Sequence, residues 1–116
     1  MKNAPQEWLT TRASPPGMLA CGLRAPGGKL ICHSLEETCT KGELEQILGQ
    51  FDGLRAALFS DQLSPSWVTW AYEQGQIRFV TRPDGWLLGL CIRPESEAQQ
   101  RLDPLSREFQ SLDLGG

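Results

Sequence analysis

Apolar residues along this chain change between unbroken runs and a three-and-four spacing, and those changes mark out its elements. From Gly17 to Arg24 the run Met18-Leu19-Ala20-Cys21-Gly22-Leu23 is nearly continuous and short, the pattern of a strand covered on both faces. Ala25-Pro26-Gly27-Gly28 supplies a turn, since Pro presets φ and Gly accepts a positive φ, and Lys29 to Leu35 follows as the partner strand of a hairpin. Thr40-Lys41-Gly42-Glu43 then has the form of a capping box. Behind it Leu44, Ile47, Leu48, Phe51, Leu54 and Leu58 recur at three and four, which predicts a long amphipathic helix. Gly49, Gly53 and Ala57 form a second row on that helix at spacing four. Mid-helix glycines cost about 1 kcal/mol each relative to Ala. Two readings of the row stand: close approach of another backbone, either the sheet beneath or a symmetry-related helix, or a frayed helix that tolerates them.

Leu63-Ser64-Pro65 ends the helix, and Ser66 to Tyr72, rich in aromatic and β-branched residues, reads as a strand. Gln74-Gly75-Gln76 is expected to turn it, Ile77 to Arg82 to return, Pro83-Asp84-Gly85 to turn again, and Trp86 to Ile92 to form a further apolar strand. Ser96 is placed to cap a closing helix with Leu102, Leu105, Phe109 and Leu112 on one stripe, kinked by Pro104 or restarted from an Asp103 cap. The first 16 residues are polar and close on Ser14-Pro15-Pro16. They read as an arm or a short helix from Pro5 to Arg12 that lays Trp8 and Leu9 on the core. The expected organisation is therefore an arm over 1–16, one domain over 17–112, and a fraying tail over 113–116.

The order α-β-β-α-β-β-β-α predicts an α+β fold with a five-stranded antiparallel sheet. The two most continuously apolar strands, 18–24 and 86–92, belong in the middle, and the polar-laced strands 29–35 and 66–73 outside. An edge strand bearing Trp67, Val68, Trp70 and Tyr72, with no Lys or Pro inside it, is an aggregation hazard unless something pairs with it. A second copy across a two-fold axis is the simplest partner; the chain's own arm or final helix is the other.

Composition narrows the function classes. A length of 116 residues makes one domain, of a size that buries roughly 65% of its unfolded surface. Eleven basic residues against 14 acidic give a net charge of −3, with no Lys/Arg cluster to follow a phosphate backbone, so nucleic acid is not an expected partner. No window approaches the roughly 18 apolar residues of a membrane span and the polar start does not read as a signal peptide, so a cytoplasmic protein is expected. Cys21, Cys32, Cys39 and Cys91 contain no C-x-x-C. Cys32 and His33, neighbours on a strand, point to opposite faces and cannot close a tetrahedron with Cys39, so no metal is expected. One pairing stays open: with Pro26 and Gly27 as a tight loop, Cys21 and Cys32 would lie opposite each other, within reach of a redox bridge. His33 is the only imidazole, and it belongs to no nucleophile-elbow signature. Glu36-Glu37 reads as a solvated turn, and neither G-x-G-x-x-G nor a P-loop occurs. Neither catalysis nor a cofactor is expected.

The order of elements, together with Gly17-Met18-Leu19-Ala20-Cys21-Gly22-Leu23-Arg24, Lys29 to Ser34, Trp67 to Tyr72 and Ile77 to Ile92, resembles the roadblock family of dynein light-chain-like proteins over about residues 17–112. The resemblance implies a profilin-like sheet with the long helix on one face and terminal helices on the other. It implies homodimers formed through the third strand and the long helix, acting as scaffolds or regulators of small Ras-like GTPases. The interface it implies here is Trp67, Thr69 and Ala71 with Gly49, Gly53 and Ala57. The family's first helix is longer than Pro5 to Arg12 can supply, a departure that bears on how one sheet face is covered. Three other readings remain: a secretion-type chaperone that holds an unfolded client, a small-ligand sensor with Trp8, Trp70 and Trp86 lining a pocket, and a thiol enzyme using Cys21 or Cys32 with His33.

Overall fold

A computed structural model describes residues 4–13, 16–35, 40–58, 67–72 and 75–112. In chain order these form α1 (Ala4–Thr11), β1 (Met18–Arg24), β2 (Leu30–Ser34), α2 (Lys41–Leu58), β3 (Trp67–Tyr72), β4 (Gly75–Thr81), β5 (Leu87–Ile92), α3 (Glu97–Gln100) and α4 (Leu102–Ser111). The five strands make one sheet in the order β2-β1-β5-β4-β3, antiparallel throughout. The two apolar runs are inside, and β2 and β3 are the edges. Cys39 and the Glu36-Glu37 pair lie outside the described residues, as do the residues 1–3 of the arm and the tail 113–116.

Every side chain of β5, and all of β1 but Arg24, is buried, because both faces of the sheet are covered. On one face Leu44, Leu48 and Phe51 of α2 pack with Leu19, Cys32, Ile77, Phe79 and Cys91. On the other, Trp8 and Leu9 of α1 and Leu102, Leu105 and Phe109 of α4 pack with Cys21, Leu23, Val80, Leu88 and Leu90. The two turns of α1 are therefore enough, with α4 beside them, to cover a face for which the resemblance implies a longer helix.

The seat of α2 is cut by two glycines. Gly22 and Gly89 stand opposite each other on β1 and β5. A Cβ on Gly22 would lie 3.0 Å from methyls of both Leu44 and Leu48, and one on Gly89 would lie 2.9 Å from Leu48. Only the missing side chains let the helix settle this close, as interiors pack without spare volume. Thr40 starts α2 as expected, its Oγ1 accepting from the Glu43 N–H at 3.2 Å. The side chains of Leu54 and Leu58 fall outside the described residues.

Four sequence expectations are corrected. First, Cys21 and Cys32 are not opposite: Cys21 faces His33 and Gly22 faces Cys32. The loop is three residues, not two, since Ala25 N–H donates to Lys29 O at 2.8 Å and Gly28, at φ +96, adds a residue after the turn. That one-residue slip puts the thiols on opposite faces, both buried and neither in a disulfide. Second, Gly75 is not a turn residue but begins β4 opposite Tyr72; Glu73 and Gln74 between them lie outside the described residues. A Cβ there would run onto Ile92 O at the end of the neighbouring β5, so the position needs glycine for that close approach. Third, the closing helix breaks at Arg101 into α3 and α4 instead of kinking at Pro104 or restarting from Asp103. Fourth, Ser96 precedes α3 without capping it by its side chain; its hydroxyl donates back to Arg93 O.

Candidate functional site

The register determines which backbone groups of β3 face out of the sheet. Ala25 N–H donates to Lys29 O, and Leu35 N–H donates to Leu19 O at 2.9 Å, so odd-numbered residues of β1 bond toward β2. Bonded and non-bonded residues alternate along an antiparallel pair. The even-numbered residues of β1 therefore turn to β5, with Ala20, Gly22 and Arg24 opposite Cys91, Gly89 and Leu87. Even-numbered residues of β5 turn to β4, and odd-numbered residues of β4 turn to Val68, Trp70 and Tyr72 of β3. The second hairpin gives the same parity, since Arg82 N–H donates to Trp86 O at 3.1 Å. What remains is Trp67, Thr69 and Ala71, whose N–H and C=O point away from β4. No strand among the described residues pairs with that side.

Side chains alternate in the other direction. Trp67 packs half-buried on the α4 side, and Thr69 and Ala71 are exposed beyond it. Trp70 packs on the α2 side, edge-on to Phe79 with ring centroids 5.4 Å apart, and Phe79 in turn meets Phe51 of α2 at 4.6 Å. Arg78 braces this edge. Its Nε donates to Thr69 Oγ1 at 2.7 Å, its Nη1 to Asp103 Oδ1 at 2.7 Å and to Ser106 Oγ at 3.2 Å, and its guanidinium lies 5.4 Å from the Trp67 ring centre.

The helix row expected to join this strand lies on the other layer. Gly49 and Gly53 are exposed, and a Cβ on either would meet nothing within 4 Å. The row does not pack on the chain's own sheet. Ala57 continues it along α2, with its side chain outside the described residues. Trp67, Thr69 and Ala71 thus present the α4 face of the sheet, while the glycines lie on α2, which covers the opposite face. Sequence reasoning missed Arg78 as the brace. Its signal was a single charge between Ile77 and Phe79, on the strand returning from Thr69.

A second polar cluster fastens α1. Glu108 accepts from Trp8 Nε1 at 3.1 Å through Oε1, and from Arg12 Nε at 2.9 Å and Nη2 at 3.1 Å. The Arg12 fork holds the Glu108 carboxyl below its ordinary range, helped by Trp8 and opposed by partial burial. Beside it a cleft of about 330 Å3 is lined by Thr11, Arg12, Glu97, Arg101, Leu105 and Glu108, and no tryptophan lines it. The three tryptophans of the sensor reading do not line one pocket, because Trp8 and Trp86 pack on one face of the sheet and Trp70 on the other; Trp86 lines a separate cleft of about 170 Å3. Cys21 does stand opposite His33, but the thiol is fully buried and donates to Leu9 O at 3.7 Å. Among the described residues no group of three His, Cys, Asp or Glu side chains is placed to hold a metal ion, and no helix is long and apolar enough to cross a membrane.

No family model matches this chain. No curated protein matches it either. Among solved structures it is similar to the crystal structure of a Roadblock/LC7 domain from Streptomyces avermitilis, with a TM-score of 0.59 and 16% identity over 93% of each chain. The roadblock-like α+β fold is thereby shown.

Proposed function

We propose that the chain is a non-catalytic protein-interaction module that acts as a homodimer in the cytoplasm, built on the β3 edge and the exposed glycine row of α2. The observation that carries this reading is the edge itself: Trp67, Thr69 and Ala71 hold out a row of backbone donors and acceptors on a strand with two tryptophans and no charged residue. Such an edge invites another strand unless a Lys, a Pro or a bulge guards it, and β3 has none of these. Gly49 and Gly53 add a surface onto which a second helix could close without meeting a side chain.

By analogy of fold, the further partner is a small Ras-like GTPase or another cytosolic complex, for which the dimer serves as scaffold or regulator. A chaperone for an unfolded client is the rival reading. A GTPase co-purifies folded and nucleotide-loaded, whereas a client is an extended segment lost to apolar competitors.

Replacing Thr69 and Ala71 by Lys tests the dimer by setting like charges against each other across the axis. Light scattering is expected to give the mass of one chain for this variant and of two for the wild type. A variant that keeps the wild-type mass contradicts the edge as the interface.

A further inference from the structure

We infer that the cleft between the end of α1 and the joint of α3 with α4 binds a small zwitterion carrying an apolar side chain, a free α-amino acid or a dipeptide. The cleft encloses about 330 Å3, a volume within the range of small-molecule sites. It uses no residue of β3 or α2, so it stands apart from the dimer reading.

Its charged side chains form two couples of different kinds. Arg12 and Glu108 are spent on each other: the Arg12 fork reaches both carboxylate oxygens at 2.9 and 3.1 Å, and Trp8 Nε1 donates to Oε1 as well. Glu97 and Arg101 are not spent. They stand four residues apart with the acid first, the order that favours an ion pair along a helix. Yet Arg101 sits at the break between α3 and α4, and among the described residues neither side chain has an ion-pair or hydrogen-bond partner. Both are exposed to the cleft, whose apolar wall is Pro104 with Leu105.

Two arginines against two glutamates give the cleft no net charge, and that decides between ligand classes. A lone anion such as phosphate would gain Arg101 but meet both carboxylates, and the Thr11 hydroxyl has already given its proton to Glu7 O at 2.6 Å. A lone cation would gain Glu97 but meet both guanidinium groups. A molecule with one end of each sign answers the two unspent groups together. Its carboxylate matches the planar fork of Arg101 in a charge-assisted pair, and its ammonium donates to Glu97. Its side chain lies on Pro104 and Leu105, where apolar surface leaves water. Arg12, already held on Glu108, needs no further ordering when the ligand enters.

NMR titration of the full wild-type chain tests the site with four probes: L-leucine, glycyl-L-leucine, isocaproate, which lacks the ammonium, and isoamylamine, which lacks the carboxylate. Saturable shifts are expected at the amides of Thr11, Arg101 and Leu105. At least one zwitterion is expected to bind about tenfold or more tighter than either single-ended analogue, the worth of one charged hydrogen bond. The tighter of the two zwitterions tells a free amino acid from a peptide. Arg101→Gln and Glu97→Gln, both at exposed positions, are each expected to weaken that zwitterion about tenfold. Arg101→Gln should not weaken isoamylamine, nor Glu97→Gln isocaproate. No saturable shift at these amides, single-ended analogues bound as tightly as the zwitterions, or wild-type affinity in both variants overturns the proposal.

Discussion

Arg78 on β4 and Thr69 on the edge strand are direct cross-strand partners, joined by an Nε to Oγ1 hydrogen bond of 2.7 Å. The same guanidinium reaches α4 through Asp103, so one side chain, 11% exposed, ties the sheet edge to the helix above it. Removing it in Arg78→Met leaves Asp103 and Thr69 without their shared partner. A loss of about 1–3 kcal/mol in urea unfolding is expected, the range for a charged hydrogen-bonding group, together with weaker self-association in sedimentation. Arg78→Lys keeps the charge without the planar fork and should recover only part of either. Wild-type values for both variants would mean that the brace is idle.

The Glu108 latch gives an acid dependence with a definite sign. Its folded carboxyl titrates below the ordinary range because Arg12 donates to both oxygens. The stability this contributes is present above the unfolded Glu value of about 4.3 and is lost as pH falls through the lower folded value. Glu108→Gln should therefore unfold more easily than wild type at neutral pH, and the gap should narrow as the pH drops below the carboxylate range. Denaturation midpoints followed across that range check this; a gap that widens on acidification contradicts it.

Two glycines should respond in opposite ways to the same substitution. Gly53→Ala adds a methyl in open space on a helix and is expected to stabilise the isolated fold by up to about 1 kcal/mol. Gly75→Ala drives a Cβ onto Ile92 O and is expected to destabilise by about 1–3 kcal/mol. Thermal unfolding at low concentration reads both. Gly53→Leu, by contrast, is expected to leave the monomer folded and to weaken the dimer, because the glycine row is where a second helix would close; an undisturbed dimer would show the row to be inert.

The sheet was largely legible in the sequence because its signals were local. Unbroken apolar runs mark β1 and β5, the tryptophans and Thr69 mark β3, and the leucines of α2 repeat at helical spacing. What escaped needed knowledge of a neighbour. One extra residue at Gly28 shifted the first hairpin and separated Cys21 from Cys32, because a turn containing two glycines fits either loop length. Gly75 read as a turn until the close approach of Ile92 O on the neighbouring strand explained it, and the pairing of Gly22 with Gly89 under α2 had no signal within either strand. The edge position of β3 followed from composition, but which of its residues offer free backbone depends on parity carried through four strand pairs.

The central claim is that the β3 edge joins two copies of this chain. Sedimentation equilibrium of the wild-type protein across a wide dilution series tests it most directly. The account predicts twice the chain mass at the concentrated end, falling toward a single chain on dilution; a single-chain mass throughout, with the edge amides equally protected at every concentration, would contradict it.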